Sequence, residues 1–351
     1  MLNVKKTGLT FDDVLLIPRK TNIASRSHVD LSSQLTPKIK LSLPIISANM
    51  DTVTESPMAI ALGELGGIGI IHRFLTIEQE VEEIKKVKKA GHKVGGAVGI
   101  NNDHLERAEA LIKAGVDVIV IDVAHGHSEF LLHALKDLIK KFPKMEFIAG
   151  NIATGEGTLD LIKNGVAAVK VGIGPGALCT TRIVTGAGVP QLTAIDDCAQ
   201  IAHEHKIPII ADGGIRTSGD IAKALAAGAS SVMIGTMFAG CDESPALLIE
   251  REGKKFKLTR GMASLVANKD REKKTGKVLK DLKTYAAEGV EAIVPYRGTV
   301  KDMIIKLFSG VKSGLSYCGS KNISELWENA EFIQITQSSL IESRPHDVEV
   351  M

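Results

Sequence analysis

The residues with the clearest chemical potential lie in a glycine-rich segment between Gly172 and Arg182, which reads Gly-Ile-Gly-Pro-Gly-Ala-Leu-Cys-Thr-Thr-Arg. Its three glycines and one proline permit an irregular backbone whose carbonyl or amide groups converge, which suits ion coordination. Cys179 follows in this polar context, and the nearby Arg182 favours the thiolate form of a cysteine. The segment therefore predicts a nucleophile at Cys179, whereas Cys198 and Cys241 are expected to be buried apolar side chains.

A second segment with potential for binding covers residues 212–219 and reads Asp-Gly-Gly-Ile-Arg-Thr-Ser-Gly. Gly235 and Thr236 stand at the end of the next predicted strand. Glycine amides at the ends of neighbouring barrel strands form a recurrent phosphate site, and the carboxylate of Asp212 can accept hydrogen bonds from ribose hydroxyls. The alternative is that these glycines only make tight turns.

A third segment, residues 122–128, reads Asp-Val-Ala-His-Gly-His-Ser. Asp122 lies at a predicted strand end, where it could bind the ribose of a cofactor. His125 and His127 alternate without a third ligand nearby, so hydrogen bonding in a loop is favoured over a metal site.

Eight short aliphatic runs position these segments. The predicted strands are 43–50, 66–72, 94–100, 117–123, 146–152, 168–173, 207–211 and 231–237. Helical periodicity lies between them, for example in 76–90 and 103–114. Thr76 and Gln79 have the spacing of a capping box, and Gly91 is a stop signal.

Nearly continuous apolar strands that alternate with helices indicate a parallel sheet buried on both faces, and eight strands close a barrel. The fold class predicted is α/β, a single-domain (β/α)8 TIM barrel over 1–351, with its core at about 43–250. A doubly wound sheet would place a GxGxxG motif after the first strand, and none follows 43–50.

The residues 251–351 are predicted to form a flap after the eighth strand and further C-terminal elements. Two strands, 254–260 and 291–296, enclose a segment rich in basic residues. Twelve Lys or Arg stand against four Asp or Glu in 251–283, which fits either a solvated loop or a phosphate-attracting lid. Its position after the last barrel strand favours a lid.

The charge balance, the cysteines and the apolar runs of the sequence limit the classes of partner that the protein could bind. Lys and Arg number 43 against 41 Asp and Glu, a net charge of +2, so no global charge field recruits nucleic acid or an acidic membrane. The four cysteines lack metal-binding spacing and are expected to be reduced thiols in a cytoplasmic protein. No apolar run is long enough to span a membrane.

Taken together, these segments resemble the family of inosine monophosphate (IMP) dehydrogenases and guanosine monophosphate (GMP) reductases. The stretches that carry the resemblance are 9–16 (Leu-Thr-Phe-Asp-Asp-Val-Leu-Leu), 48–53 (Ala-Asn-Met-Asp-Thr-Val), 122–128, 172–182, 212–219, 261–262 and 288–289. They extend over nearly the whole chain in the family's order, and 172–182 is the most specific.

The resemblance implies a barrel enzyme, a homotetramer, in which Cys179 attacks C2 of a purine nucleotide to form a covalent intermediate. It implies that Thr181 and Glu288 form a proton-transfer pair. The implied K⁺ site comprises Gly174, Gly176, Cys179 and Arg182. The implied substrate contacts are Met50, Asp212, Gly213, Gly214, Gly235, Thr236, Gly261, Met262 and Gly289. The implied cofactor contacts are Ser25, Arg26, Arg73, Asp122, Val123 and Ala124.

The two activities of the family share the cysteine adduct and then diverge. The dehydrogenase passes hydride from IMP to NAD and hydrolyses the adduct to xanthosine monophosphate (XMP), using an Arg-Tyr pair on a mobile flap. The reductase expels ammonia from GMP and takes hydride from NADPH to give IMP. In the reductase, the Thr–Glu pair would supply the proton that the leaving ammonia needs.

The motifs of this chain divide between the two activities. Features typical of the reductase are the missing regulatory module between the second helix and third strand, Ala-Asn-Met at 48–50, Asp-Arg-Glu without a tyrosine at 270–272, and Tyr-Ala-Ala-Glu-Gly at 285–289. Thr259 also stands where the dehydrogenase has a tyrosine near the phosphate. Features of the dehydrogenase are 125–127, 183–190 and 344–348. The flap sequence leads us to expect an NADPH-dependent GMP reductase, with an NAD-dependent IMP dehydrogenase as the alternative.

Overall fold

The computed structural model describes residues 4, 6–100, 103–275 and 286–349. Eight parallel strands close into a barrel in which neighbours along the chain pair throughout, as predicted. They are β1 (Ile45–Ser47), β2 (Ile68–Ile71), β3 (Val94–Val98), β4 (Val118–Asp122), β5 (Phe147–Ile152), β6 (Ala168–Val171), β7 (Ile209–Asp212) and β8 (Ser231–Ile234).

Eight helices surround the barrel. They are α1 (Ser56–Glu64), α2 (Ile77–Lys89), α3 (His104–Lys113), α4 (Glu129–Lys141), α5 (Gly155–Lys163), α6 (Gln191–Glu204), α7 (Ser218–Ala226) and α8 (Val300–Tyr317). Helix α8 contacts both α7 and α1 and so completes the ring. The last helix of the ring therefore comes from the C-terminal part of the chain, beyond the predicted core boundary near residue 250.

The remaining elements decorate the barrel. An antiparallel sheet of β9 (Leu247–Arg251), β10 (Lys254–Arg260) and β11 (Glu291–Pro295) follows β8, close to the predicted strands. The flap helix (Leu265–Thr275) lies between β10 and β11 in the chain. Short paired strands are Val14–Leu16 with Phe332–Gln334 and Ser33–Gln34 with Lys40–Leu41. Short helices are Phe11–Asp13, Arg26–His28, Thr181–Thr185, Thr236–Ala239, Ile323–Asn329 and Gln337–Glu342.

Two observations concern the regulatory module and the basic lid discussed for the sequence. Helix α2 ends at Lys89 and β3 begins at Val94, so no regulatory module is inserted there. The second half of the predicted basic lid, residues 276–285, lies outside the described residues. Within the described part of the chain, no helix is long and apolar enough to cross a membrane.

The barrel interior changes from apolar to charged toward the carboxyl ends of its strands. Side chains alternate along each strand, so that Val120 of β4 packs inside the barrel and the next inward position is Asp122. The same alternation turns Lys170 of β6 and Asp212 of β7 inward. The polar end of the barrel is therefore the end where barrel enzymes place their active sites.

Helix α2 begins as its sequence predicts. The Oγ1 of Thr76 accepts a hydrogen bond from the backbone N of Gln79 at 3.2 Å, and the Thr76 N donates to Gln79 Oε1 at 3.1 Å. Gly91, with φ of +83°, follows the last turn. The predicted capping box and stop signal are both confirmed.

This cap yields a prediction for stability. Replacing Thr76 with Ala removes the acceptor for the Gln79 amide and should lower the free energy of unfolding by about 1 kcal/mol. Urea titration followed by circular dichroism measures this loss. Thr76→Ser keeps the hydroxyl and should recover most of the stability, so an equal loss in both variants would contradict the role of the cap.

Candidate active site

A cavity of about 730 Å³ opens at the carboxyl ends of the barrel strands. Its size is within the usual range for small-molecule sites. The predicted site residues that line it are Met50, Arg73, Asp122, Val123, Ala124, Gly174, Gly176, Cys179, Thr181, Arg182, Asp212, Gly213, Gly214, Gly235, Thr236, Gly261, Met262 and Glu288. Nearly all residues singled out in the sequence thus lie in one place.

Cys179 differs from the buried cysteines of the chain. It is half-buried in the cavity wall, and its Sγ lies 3.0 Å from the Oγ1 of Thr181. Cys198 and Cys241 are buried, and burial raises the pKa of each thiol to about 12. These two are the inert apolar side chains that the sequence predicts, while Cys179 is accessible to a ligand.

Three backbone segments cross at the cysteine. The N of Thr180 donates to Glu288 O at 3.0 Å, and the N of Val290 donates to Leu178 O at 3.0 Å. The N of Gly261 in turn donates to Val290 O at 2.9 Å. Gly261 and Glu288, which precede and follow the flap helix in the chain, are therefore both held near Cys179, and Glu288 lines the same cavity as Cys179.

Glycine is required at this crossing. Gly289 pairs with Cys179 in a β-bridge, and a Cβ on Gly289 would lie 3.2 Å from the Cα of Gly261. A Cβ on Gly261 would lie 2.9 Å from Leu178 O. Gly289 does not line the cavity itself; it lets the flap segments approach the cysteine loop closely.

The cysteine loop fits a monovalent cation only through its carbonyl oxygens. Gly174, at φ of +81°, turns the backbone, and the O of Gly176 accepts a hydrogen bond from Cys179 N at 3.0 Å. The Arg182 side chain instead packs on the loop, with Nε donating to Ile173 O at 3.1 Å. Because a guanidinium carries only donors, Arg182 could take the predicted part in a cation site only through its backbone carbonyl. Backbone carbonyls suit K⁺.

A buried lysine forms the floor of the cavity. The Nζ of Lys170 lies 2.7 Å from Asp212 Oδ2 and 3.3 Å from Asp122 Oδ1, and it also donates to Asn151 Oδ1. Its side chain is 3% exposed. The sequence analysis missed this residue, although a lysine within an apolar strand is a signal, because lysines are almost never fully buried without a partner.

Asp122 is held in its charged form. Burial alone would raise its pKa, but the Lys170 ammonium and the Arg73 guanidinium lower the pKa below the ordinary value of an aspartate. Arg73 Nε lies 3.7 Å from Asp122 Oδ2, and it has no hydrogen-bond partner among the described residues. A bound ligand could supply the acceptor that this buried N–H lacks, which fits a cofactor at this wall of the cavity.

Two predicted cofactor residues are not brought to the cavity. Ser25 caps the short helix Arg26–His28, and its side chain accepts from Ser27 N. The Nη1 of Arg26 donates to the Oγ of Ser313 on α8 at 3.0 Å. Within this chain, the structure therefore does not support the cofactor contacts predicted for Ser25 and Arg26.

The two loop histidines make hydrogen-bonding and ring contacts. His127 Nε2 lies 2.9 Å from Asp160 Oδ2, and the rings of His125 and His127 are 6.5 Å apart. Among the described residues, no group of three or more His, Cys, Asp or Glu side chains could hold a metal ion.

The flap helix is tied to the barrel by Arg260. Its Nε and Nη2 donate to Asp51 Oδ2 at 3.0 and 2.5 Å, and its Nη1 donates to Asp270 Oδ2 at 2.6 Å. Asp51 follows β1, and Asp270 lies in the flap helix. Next to it, Arg271 lines the cavity, with its guanidinium carbon 5.2 Å from the centre of the Phe74 ring. We call Asp51, Arg260 and Asp270 the flap latch.

The fold and the site define a (β/α)8-barrel enzyme with an accessible cysteine in a charged cavity. A family model described as "IMP dehydrogenase / GMP reductase domain" matches residues 8–346, and the chain belongs to this family. It is therefore an oxidoreductase of purine nucleotides, in a family that uses a nicotinamide cofactor.

The similarity extends over whole chains. An inosine-5'-monophosphate dehydrogenase of Nitrosopumilus maritimus is 42% identical, covering 99% of both chains. One of Borreliella burgdorferi is 46% identical, covering 98% of both. Among solved structures, a GMP reductase variant of Trypanosoma brucei in complex with guanosine 5'-monophosphate matches with a TM-score of 0.93 and 31% identity, covering 98% of both chains.

The flap latch yields a prediction for stability. Arg260→Met leaves the carboxylate of Asp51, which is 4% exposed, without its cation, and should cost about 3 kcal/mol. Asp270→Asn removes only the outer partner, which is 37% exposed, and should cost less than about 1 kcal/mol. Urea titration compares the two variants, and equal losses would contradict the asymmetry.

Proposed function

We propose that the protein is an NAD-dependent IMP dehydrogenase, which converts IMP to XMP through a covalent adduct on Cys179. The observation that carries this proposal is the whole-chain similarity to curated IMP dehydrogenases at 42% and 46% identity, against 31% for the GMP reductase structure. These relatives favour the alternative of the sequence analysis over the reductase expected there.

The missing regulatory module, and the short chain that results from it, do not favour the reductase over the dehydrogenase. The alignment with the N. maritimus enzyme extends over 473 positions, so that relative contains segments that this chain of 351 residues lacks. The B. burgdorferi enzyme aligns over only 397 positions at 98% coverage of both chains. A curated IMP dehydrogenase can therefore be much closer in length to this chain, and the missing module does not discriminate.

The chain's own residues support the shared first step. The Sγ of Cys179 would form a bond to C2 of the purine ring, and a bound NAD would supply the acceptor for the hydride that leaves C2. Attack of water on C2 then breaks the bond to sulfur, releases XMP and returns the thiol. Thr181 Oγ1 lies 3.0 Å from Sγ and Glu288 lines the same cavity, and we assign to this pair the proton transfers that the reaction needs.

Other cavity residues fit the remaining parts of the nucleotide. We assign the ribose hydroxyls to Asp212, whose carboxylate lies at the end of β7. The phosphate is assigned to the backbone of Gly213, Gly214, Gly235 and Thr236 at the ends of β7 and β8. Met50 and Met262 are assigned to the base, and Met262 is held by its Sδ, which accepts from Asp51 N at 3.3 Å.

The proposed cofactor is NAD, bound along Arg73 and residues 122–124, with NADPH in its place if the reductase reaction holds. The proposed activating cation is K⁺, held by the carbonyls of Gly174, Gly176 and Cys179 and supported by the turn of the backbone there. A cytoplasmic location remains a prediction from the sequence.

The GMP reductase reaction is the second candidate, and one observation favours it. Residues 270–272 read Asp-Arg-Glu, so Arg271 in the cavity wall has no tyrosine after it. The family resemblance assigns water activation in the dehydrogenase to an Arg-Tyr pair, and water is needed only there. Ammonia release instead requires a proton donor, which Thr181 and Glu288 could supply.

We also propose that the protein forms a homotetramer. The exposed face of the β9–β11 sheet carries an apolar row, because Leu247 pairs with Leu258 and Leu258 pairs with Ile293 in the ladder. These side chains are 66%, 44% and 36% exposed. An apolar sheet face of this kind supports contact with another copy of the chain.

Two assays test the reaction. Purified protein with IMP, NAD and K⁺ should produce NADH, because the whole-chain relatives carry out this reaction by name and Cys179 lies in the cavity. The absorbance of NADH measures it. Oxidation of NADPH with release of ammonia from GMP, without NADH from IMP, would assign the chain to the reductase reaction instead.

A cysteine variant tests the nucleophile. Cys179→Ala should lower turnover by more than about a thousandfold, because no covalent adduct can form. Mass spectrometry of the wild-type protein after incubation with nucleotide and cofactor should show the adduct, and the variant should show none. Cys198→Ala is the matched control with full adduct formation. Turnover that persists in Cys179→Ala would exclude this mechanism.

A further inference from the structure

We infer that Lys170 is a positioning residue for nucleotide binding: its buried ammonium holds Asp122 and Asp212 as a pair of carboxylates in fixed positions under the two ligands. This inference rests on the proposed function, because it takes Asp212 as the ribose acceptor and Asp122 as the acceptor on the cofactor side. It goes beyond that function by assigning a role to a residue that binds neither ligand.

The hydrogen bonds of Lys170 leave no donor for a ligand. An ammonium has three donors, and the Nζ of Lys170 reaches Asp212 Oδ2, Asp122 Oδ1 and Asn151 Oδ1. All three acceptors belong to the protein, and the lysine side chain is 3% exposed. Lys170 therefore acts through its partners and not by contact with substrate.

The same contacts leave one oxygen of Asp212 available. Lys170 Nζ at 2.7 Å and Asn151 Nδ2 at 2.9 Å both donate to Oδ2. Oδ1 of Asp212 has no partner among the described residues, and Asp212 lines the cavity. The carboxylate is thus fixed through one oxygen while the other can accept from a ribose hydroxyl.

The charges around Lys170 explain why a cation is needed there. Asp122 Oδ1 and Asp212 Oδ2 lie 3.3 Å and 2.7 Å from Lys170 Nζ, so these two carboxylate oxygens are at most about 6 Å apart. Arg73 Nε lies 3.7 Å from Asp122 Oδ2, and the neutral amides of Asn49 and Asn151 contact Asp122 and Asp212 respectively. Among these neighbours, only Lys170 pairs with Asp212, so its removal leaves Asp212 without a cation.

Without the ammonium, the half-buried carboxylates of Asp122 and Asp212, so close together, would share a proton. Arg73 keeps Asp122 charged, so the proton is taken up by Asp212. A protonated Asp212 is a poorer acceptor for the ribose. The nucleotide affinity of Lys170→Met should then fall, relative to that of the native protein, as the pH falls; the titration of the nucleotide phosphate is common to both proteins.

The experiment measures the dissociation constant for IMP by calorimetry from pH 8.5 to 6.0. Each value is expressed as the ratio of the variant's dissociation constant to that of wild type, so that the effect of the phosphate titration, which is common to both proteins, cancels. For Lys170→Met, this ratio should rise about tenfold as the pH falls. The charge-balanced double variant Asp122→Asn with Lys170→Met leaves a single carboxylate, and its ratio should be nearly constant with pH. A constant ratio in Lys170→Met, or an unchanged rise in the double variant, would overturn the inference.

Thermal unfolding gives a readout that needs no ligand. Because the unscreened carboxylate pair in folded Lys170→Met favours binding of a proton, that protein should lose stability relative to wild type as the pH rises and the proton is lost. The double variant should unfold at a higher temperature than Lys170→Met. If the second substitution recovers neither stability nor affinity, including the case in which both variants fail to fold, the inference is wrong. Wild type that binds neither IMP nor GMP would instead refute the proposed function.

Lys257→Met is the matched control. Lys257 is also buried, but its Nζ donates to the backbone, to Cys241 O at 2.6 Å and to Ser244 O at 2.9 Å, and makes no salt bridge within the described part of the chain. Its loss should lower the unfolding temperature while the ratio of IMP dissociation constants stays constant with pH. A pH-dependent ratio in this control would show that any lost lysine produces the effect, and would remove the support for a role of Lys170.

Discussion

The hydrogen bonds among three backbone segments at Cys179 are the constraint on which the active site depends. The cysteine loop pairs with Glu288 and Val290, and Val290 pairs with Gly261. The flap helix lies between Gly261 and Glu288 in the chain, and the backbone hydrogen bonds hold both of these residues near Cys179. Movement of the flap would therefore leave Cys179 and Glu288 in place, because their positions are set by the backbone and not by the flap helix.

Charge organises the space around this crossing. Arg260 joins the end of β1 to the flap helix through Asp51 and Asp270, and Lys170 joins two carboxylates across the end of the barrel. The two arrangements differ in exposure. The outer half of the latch is partly exposed and can separate at little cost, whereas the Lys170 cluster is buried and cannot lose a charge without leaving another unpaired. The site thus combines an ion pair at its edge, Arg260 with Asp270, that can separate, and a Lys170 cluster at its base that stays in place.

The sequence was informative wherever local pattern determines structure. Strands buried on both faces give apolar runs, glycines mark their ends, and the specific cysteine loop locates the site, so the barrel and most cavity residues were predicted correctly. The sequence was not sufficient where contacts between distant parts of the chain determine the structure. Helix α8 joins the ring from beyond the flap helix, and Arg26 contacts α8 away from the cavity. Lys170 was missed because its partners come from other strands.

The choice between the two reactions lies in the part of the site that the barrel does not fix. In the proposed mechanism, addition of Cys179 to the purine and transfer of hydride are common to both activities, and the residues assigned to these steps line the cavity. The two reactions differ in whether the enzyme activates water to hydrolyse the adduct or releases ammonia from it. The residues that could activate water are on the flap. Arg271 is positioned there against Phe74, but the next residue is Glu272 and not an aromatic hydroxyl. If this chain hydrolyses the adduct, as its relatives favour, Arg271 must contribute to water activation without the usual tyrosine. Under the proposed mechanism, the flap rather than the barrel would therefore determine which of the two reactions this chain performs.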